Sequence, residues 1–331
     1  MKNTNTFHAE NAKINYAETT KCSTWFAYYT SLCMLLSMSL ILLSVTAIAQ
    51  QDPLYSQYVL NPLLINPAYS GMTKDLNASV TYRKQWIGFD GSPTTANANA
   101  HMALGNNRMG VGLIIMQDKT GSDKTTEVTS TYAYHLPLNN DLTLSFGLQG
   151  GVINYSSDYS ALTINPADAK FTNQSLWKPN FGGGLILHNE KIMVGLSMPK
   201  MLKSTSTIES LSTSLYNQHA YALVASVFQL SYRIKLKPWV LARMVAGAPI
   251  SLDYAATLRV DDSYTIGVFS RDLATYGLLA QINLGDNLRF GYVFELPTQK
   301  SVGTQFTTHE FTLGVRVKAL PFHDLTGVKN F

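Results

Sequence analysis

Cysteine is nearly missing, charge is scarce, and past the first fifty residues no long apolar run remains. Both cysteines of the 331-residue chain, Cys22 and Cys33, lie near the amino terminus. Only 14% of the residues are charged, against about a quarter in soluble domains, yet the mean hydropathy is +0.00, too low for a bundle of membrane helices. No Lys/Arg run accompanies the net charge of +4, so the footprint of a nucleic-acid binder is missing. With 18 Tyr, 14 Phe and 4 Trp the chain is not intrinsically disordered, and its 22 glycines show no three-residue period, which excludes collagen.

Catalytic motifs are also missing. There is no G-x-S-x-G, no H-E-x-x-H, no P-loop and no cysteine pair. Gly182-Gly183-Gly184 falls inside a strand-like run, where small residues serve close packing better than phosphate binding. The histidines after residue 49, His101, His135, His188, His219, His309 and His323, are scattered. His309-Glu310 is the one pair that invites inspection. No enzyme activity, cofactor or metal is expected.

The first positive signal is a targeting segment. Lys2, Lys13 and Lys21 precede an uncharged stretch from Cys22 to Gln51, whose Leu32–Ala49 part is rich in Leu, Met, Ile, Val and Ala. It ends in Ala47-Ile48-Ala49, small residues at signal-peptidase spacing, so residues 1–49 read as a signal peptide cleaved after Ala49. The alternative is an uncleaved anchor, since Trp25 to Ala49 is long enough to span a bilayer. Thr30-Ser31-Leu32 before Cys33 does not form a lipobox. Cleavage removes both thiols, so disulfides and Cys metal sites are excluded from the mature protein.

From Asp75 onward the apolar residues recur at every second position. Leu76, Ala78, Val80 and Tyr82 alternate with Asn77, Ser79, Thr81 and Arg83; Leu288, Phe290, Tyr292 and Phe294 alternate with Arg289, Gly291 and Glu295. Stretches 96–104, 109–117, 126–136, 142–148, 180–188, 191–198, 219–236, 239–246, 250–260, 264–271, 276–284 and 311–317 behave alike. With the two above, they give 14 candidate strands. Turn chemistry such as Gly105-Asn106-Asn107 and Gly285-Asp286-Asn287 separates many of them.

A soluble sheet buries its apolar face and shows Lys and Glu to water, whereas a membrane barrel turns its apolar face to lipid and fills its lumen with Asn, Thr, Ser, Gln and Gly. The polar faces here match the second pattern. The expected fold is all-β: a transmembrane antiparallel β-barrel of about 14 strands over 76–318, with a C-terminal tail at 319–331 that ends in Phe331. Trp86, Tyr132, Tyr155, Trp177, Trp239 and Tyr264 could form interface girdles. Among the polar-face charges, Arg83, Arg259, Arg271, Arg289 and Arg316 nearly balance Asp253, Glu295 and Glu310. Ion pairs that stiffen the lumen are therefore preferred over a mildly basic bore.

Residues 50–75 do not alternate. Asn61-Pro62 and Asn66-Pro67 hold each asparagine out of the helical region. The density of Tyr and Leu marks a compact, plug-like segment in or across the periplasmic mouth, with a simple tether as the alternative. Ser156 to Pro179 and Lys200 to Asn217 read as long, polar, exterior loops.

These same residues carry a resemblance. Asp52-Pro53-x-Tyr55-Ser56-Gln57-Tyr58, Asn61-Pro62-Leu63, Asn66-Pro67-Ala68-Tyr69-x-Gly71, Tyr82-Arg83-x-Gln85-Trp86-x-Gly88 and Gly91-x-Pro93 resemble the PorP/SprF family of type IX secretion proteins from Bacteroidota. Gly247-Ala248-Pro249 with Leu252-Asp253, Arg289-x-Gly291-Tyr292-x-Phe294-Glu295 and His309-Glu310 extend the match over essentially all of 50–320. The leader is longer than is usual in that family. The resemblance implies a non-enzymatic outer-membrane component of the secretion or gliding machinery. Its partners would be secretion ring and motor subunits, secreted surface proteins and membrane lipid. It also singles out Gln57, Tyr58, Asn61, Pro62, Asn66, Pro67, Tyr69, Arg83, Gln85 and Trp86 as partner or plug contacts. A passive channel or hydrophobic-solute transporter with a hatch is the alternative.

Overall fold

The computed structural model describes residues 56–104, 107–159, 173–208, 211–298 and 306–318. The expected signal peptide with its cleavage point, both cysteines, His323 and the tail that ends in Phe331 lie outside them, as does the side chain of Gln57.

Alternation becomes strands almost wherever it occurs. Seven consecutive strands open the barrel: β1 (Leu76–Lys84), β2 (Thr94–Leu104), β3 (Met109–Thr120), β4 (Asp123–Pro137), β5 (Thr143–Ser157), β6 (Gln174–His188) and β7 (Ile192–Lys200). A small hairpin, β8 (Ser204–Ile208) with β9 (Leu211–Tyr216), forms a separate two-stranded sheet. Then come β10 (His219–Ser226) and its short continuation β11 (Phe228–Ser231), followed by β12 (Ile234–Val245), β13 (Ser251–Val260), β14 (Tyr264–Arg271), β15 (Thr275–Leu284), β16 (Leu288–Pro297) and β17 (Thr308–Val317). With β10 and β11 counted as one span, the described residues form a closed antiparallel barrel of 14 strands. The seam pairs β1 with β17 from Leu76↔Val317 to Lys84↔His309. Closure matters because each unpaired backbone group at a sheet edge in hydrocarbon costs several kcal/mol.

Burial is inverted relative to a soluble sheet. On β1, Val80 and Tyr82 are 58% and 51% exposed, while Thr81 and Arg83 between them are 3% and 1% exposed. Leu148, Trp177, Phe181, Val268, Leu278 and Phe290 lie on the same outward surface. The polar rows point inward and the apolar rows outward, the arrangement of a barrel in lipid.

Three sequence expectations need correction. The strand expected over 219–236 stops at Ser231, and the chain turns at Tyr232-Arg233. No Gly, Asn or Pro announces that turn; it is held by Arg233, paired with Asp261 of the neighbouring turn, whose main-chain N–H donates to the Arg233 carbonyl at 2.9 Å. The Arg233 hydrogen bonds hold the Asp261 carboxyl below its ordinary range. Trp239, expected in a girdle, is 3% exposed and faces inward in the same row as Leu241 and Arg243. The stretches read as long loops are also partly strand: β5 and β6 extend to Ser157 and back from Gln174, and β8–β9 occupies most of 200–217.

Connections differ sharply between the two ends. At the end where β1 starts they span only 105–108, 138–142, 189–191, 232–233, 261–263 and 285–287. At the other end lie the long 85–93, 158–173, 201–218 and 298–307 together with the short 121–122, 246–250 and 272–274. We call these the turn end and the loop end.

Candidate functional site

Residues 56–75 line the inner wall. The two Asn-Pro pairs start short 3-10 turns at Pro62–Leu64 and Pro67–Tyr69, with Asn61 at φ −138° and Asn66 at φ −144°, outside the helical region as Pro demands. Asn66 caps its turn, its Oδ1 accepting from the Ala68 N–H at 3.0 Å. Its Nδ2 donates to the carbonyls of Leu185 and Leu196 on β6 and β7, at 3.1 and 3.2 Å. One side chain thus shapes the local turn and ties it to the wall.

Glycines make the contact possible. A Cβ on Gly147 of β5 would lie 2.0 Å from Ala68 N, one on Gly184 of β6 2.1 Å from Asn66 Oδ1, and one on Gly110 of β3 1.8 Å from the Ser70 carbonyl oxygen. Any side chain at these positions would drive the segment off the sheet. Gly182-Gly183-Gly184 indeed serves close packing, since a Cβ on Gly182 would meet the Pro199 carbonyl at 1.9 Å.

Further contacts encircle the segment. Ser197 Oγ of β7 donates to the Ile65 carbonyl at 2.6 Å, Ser70 Oγ lies 2.6 Å from Thr131 Oγ1 of β4, and His135 Nε2 lies 2.9 Å from the Ser70 carbonyl. The Gly71 N–H donates to His101 Nδ1 of β2 at 3.1 Å, and Asn61 Nδ2 donates to Asn99 Oδ1 at 2.8 Å. All these lie toward the turn end or the middle.

The start of the segment reaches the loop end. Arg83 of β1 donates to Glu295 of β16 at 2.7 and 2.8 Å and to Glu310 of β17 at 3.0 Å. Ser56 joins them: its N–H donates to Glu310 Oε2 at 3.2 Å and its hydroxyl donates to Glu295. Arg271 of β14 adds a contact to Ser56 Oγ at 3.3 Å and pairs with Asp253 of β13 at 3.3 Å. Asp253 accepts from the Tyr58 hydroxyl, and the Tyr58 ring meets Trp239 edge-on at 5.0 Å. That packing is why the inward row of β12 carries apolar residues. The segment therefore runs well beyond a placement across one mouth.

His309 and Glu310 point to opposite faces and form no dyad: Glu310 is fully buried inward, whereas His309 Nδ1 lies 2.7 Å from the Tyr292 hydroxyl on the outward side. Among the described residues no group of three or more His, Cys, Asp or Glu could hold a metal ion.

Residues 47–315 match the family described as "Type IX secretion system membrane protein PorP/SprF". The chain belongs to the PorP/SprF family. No curated protein matches it. Solved barrels similar to this PorP/SprF chain include the Acinetobacter baumannii outer membrane protein Omp33 (9% identity, TM-score 0.42, 74% of this chain and 100% of that one). Others are the CymD monoaromatic hydrocarbon channel (9%, 0.45, 82% and 95%) and the Pseudomonas putida toluene transporter TodX (9%, 0.42, 82% and 95%). The PorP/SprF chain is a closed antiparallel β-barrel, and its family is one of type IX secretion membrane proteins.

The family-motif residues divide into two groups. Tyr58, Asn61, Pro62, Asn66, Pro67 and Tyr69 lie along the inner wall, with Arg83 at its loop-end anchor. Gln57 sits in the short turn Ser56–Val59. Gln85 and Trp86 stand apart, in the β1–β2 loop. There the Gln85 N–H donates to the Pro93 carbonyl at 3.0 Å, the Trp86 N–H donates to Thr308 Oγ1 at 3.4 Å, and Trp86 meets Phe89 edge-on at 6.4 Å. Sequence reasoning gave no role to Ser56 within its block and missed Ser70, Thr131, Ser197 and the lumenal pair His101 and His135. Ser197, His101 and His135 hold main-chain atoms of the segment, and Ser70 and Thr131 meet through their hydroxyls, contacts that leave no motif.

Proposed function

We propose that this protein is a non-enzymatic component of the type IX secretion or gliding machinery that docks secretion subunits or secreted surface proteins at its rims, while residues 56–75 plug the bore. The observation that carries this reading is the ring of hydrogen bonds from Ser56, Asn61, Asn66 and Ser70 to β2, β4, β6, β7, β16 and β17, which ties the segment to the wall around most of its circumference. A filled lumen suits a docking body better than a conduit. In this reading the turn end faces the periplasm and the loop end the exterior, as short and long connections do in outer-membrane barrels.

The positions Gln57, Tyr58, Asn61, Pro62, Asn66, Pro67, Tyr69 and Arg83 then hold the plug, and Gln85 and Trp86 shape the outer rim. The second reading is a passive channel with the segment as hatch. It draws on the polar character of the Ser56 and Tyr58 contacts, which water could replace. Affinity purification from detergent-solubilised outer membranes, with mass spectrometry of what accompanies the protein, tests docking. Recovery of secretion subunits or secreted surface proteins is expected; the protein alone, together with steady single-channel conductance, would favour the channel.

A further inference from the structure

Charge is distributed unequally along the bore. Near the loop end Arg83 has two carboxylates within 3.0 Å, Glu295 and Glu310. Near the turn end Arg289 of β16 and Arg316 of β17 instead converge on one neutral atom, Asn77 Oδ1, at 3.3 and 3.4 Å. Asn77 is fixed in that pose because its Nδ2 donates to Thr73 Oγ1 at 2.6 Å and to the Asp75 carbonyl at 3.2 Å. The nearest acid, Asp75, stands 4.0 Å from Arg316 Nε, and Arg289 has no ion pair among the described residues. Two guanidiniums so close repel each other and leave donors to spare, since each carries five N–H groups and the amide oxygen has only two lone pairs.

A cavity opens beside Arg289, between the 56–75 segment and β1, β2, β15, β16 and β17. Arg289, His101, Gln281, Thr312 and Asn99 line it with polar groups. Gly314, opposite Arg289 in register, gives the guanidinium room: a Cβ there would lie 3.1 Å from Arg289 Nε. The cavity has a volume of about 40 Å³. On that measure one water needs roughly 10–15 Å³, so the space suits about three waters. That is room for a single carboxylate or phosphate group and too little for a sugar or an aromatic hydrocarbon.

We propose that this cavity binds a small oxyanion, a carboxylate or a phosphate, held by Arg289 in its wall, with Arg316, which shares Asn77 Oδ1 with Arg289, adding positive charge nearby. An oxyanion supplies both the negative charge and the forked acceptors that paired guanidiniums prefer, neither of which Asn77 provides. The site is independent of the secretion reading.

The test titrates inorganic phosphate and, separately, acetate into the full-length protein in detergent by calorimetry, at constant ionic strength held with chloride. Saturable binding of at least one is expected, weakened tenfold or more in Arg289→Gln and less in Arg289→Lys, which keeps the charge. Acetate alone binding would assign a carboxylate ligand; phosphate, alone or more tightly, would assign phosphate. Arg316→Gln serves if Arg289→Gln loses the heat-dependent gel mobility of a folded barrel. Absence of saturable binding by both anions, or unchanged affinity in the folded Gln variant, overturns the proposal.

Discussion

At the scale of single residues, Glu310 and Arg83 are the pair on which most depends. Both are almost fully buried, and Arg83 donates to both carboxylates while Ser56 closes the cluster. Removing one partner leaves an uncompensated buried charge, so Arg83→Met should lower unfolding stability by about 3–5 kcal/mol, measured by urea titration of the folded barrel in lipid. A second residue prediction concerns Gly147. Its replacement by Leu places side-chain atoms where the Ala68 main chain lies, so the variant should keep its strands by circular dichroism but gain protease cleavage within 56–75. In the sequence, Arg83, Glu295 and Glu310 were legible as polar-face charges, and Asn66 as a turn-former. Their union with Ser56 was not. The partners are 239 and 254 residues apart, and no periodicity spans such a gap.

At the scale of elements, period-two alternation carried nearly all the information, because lipid on one side and a polar lumen on the other impose unlike faces on every strand. It failed where a third partner intruded. On β12 the segment supplies an apolar surface inside the barrel, so Trp239 and Leu241 turn inward and the pattern blurs. The turn at Tyr232-Arg233 stayed hidden because its stability comes from Asp261 in the next turn, not from its own residues. The β8–β9 hairpin reads as a polar loop because serine and threonine fill it. The segment itself yields a prediction at this scale. Deleting 56–75 should leave a barrel that still shows heat-dependent gel mobility, because the strand pairings, seam included, are made without it. The same deletion should raise single-channel conductance well above wild type in planar bilayers. Equal conductance would argue that the bore is closed by other means.

At the scale of the whole molecule, the inverted burial sets how the protein responds to outward changes. Val268 lies mid-strand on β14 and is 57% exposed on the apolar surface. Val268→Arg should cost about 2–4 kcal/mol, the penalty for a cation near the bilayer midplane, read as a lowered urea midpoint in liposomes. Overall charge balance, read from composition, concealed an uneven layout: acids gather beside Arg83, while Arg289 and Arg316 share a single amide oxygen. Composition counts charges but does not locate them along an axis: the expected stiffening ion pairs form at Arg83 and Arg271 near the loop end and at Arg259 near the turn end, while Arg289 is left without one among the described residues.

The seam between β1 and β17 has a consequence for biogenesis. Residues 56–75 are continuous with β1 and lie against inward surfaces on both sides of that seam, from β2 and β4 to β16 and β17. The Asn66 and Ser70 contacts to β4, β6 and β7 involve hairpins that can form early, whereas the Ser56 contacts need the last two strands. Folding must therefore wrap the wall around a leading stretch already seated on the early hairpins, or else draw that stretch in afterwards through a finished ring. The first route joins the final zipping of the cylinder to capture of Ser56 by Glu295 and Glu310, so that sealing and filling finish together.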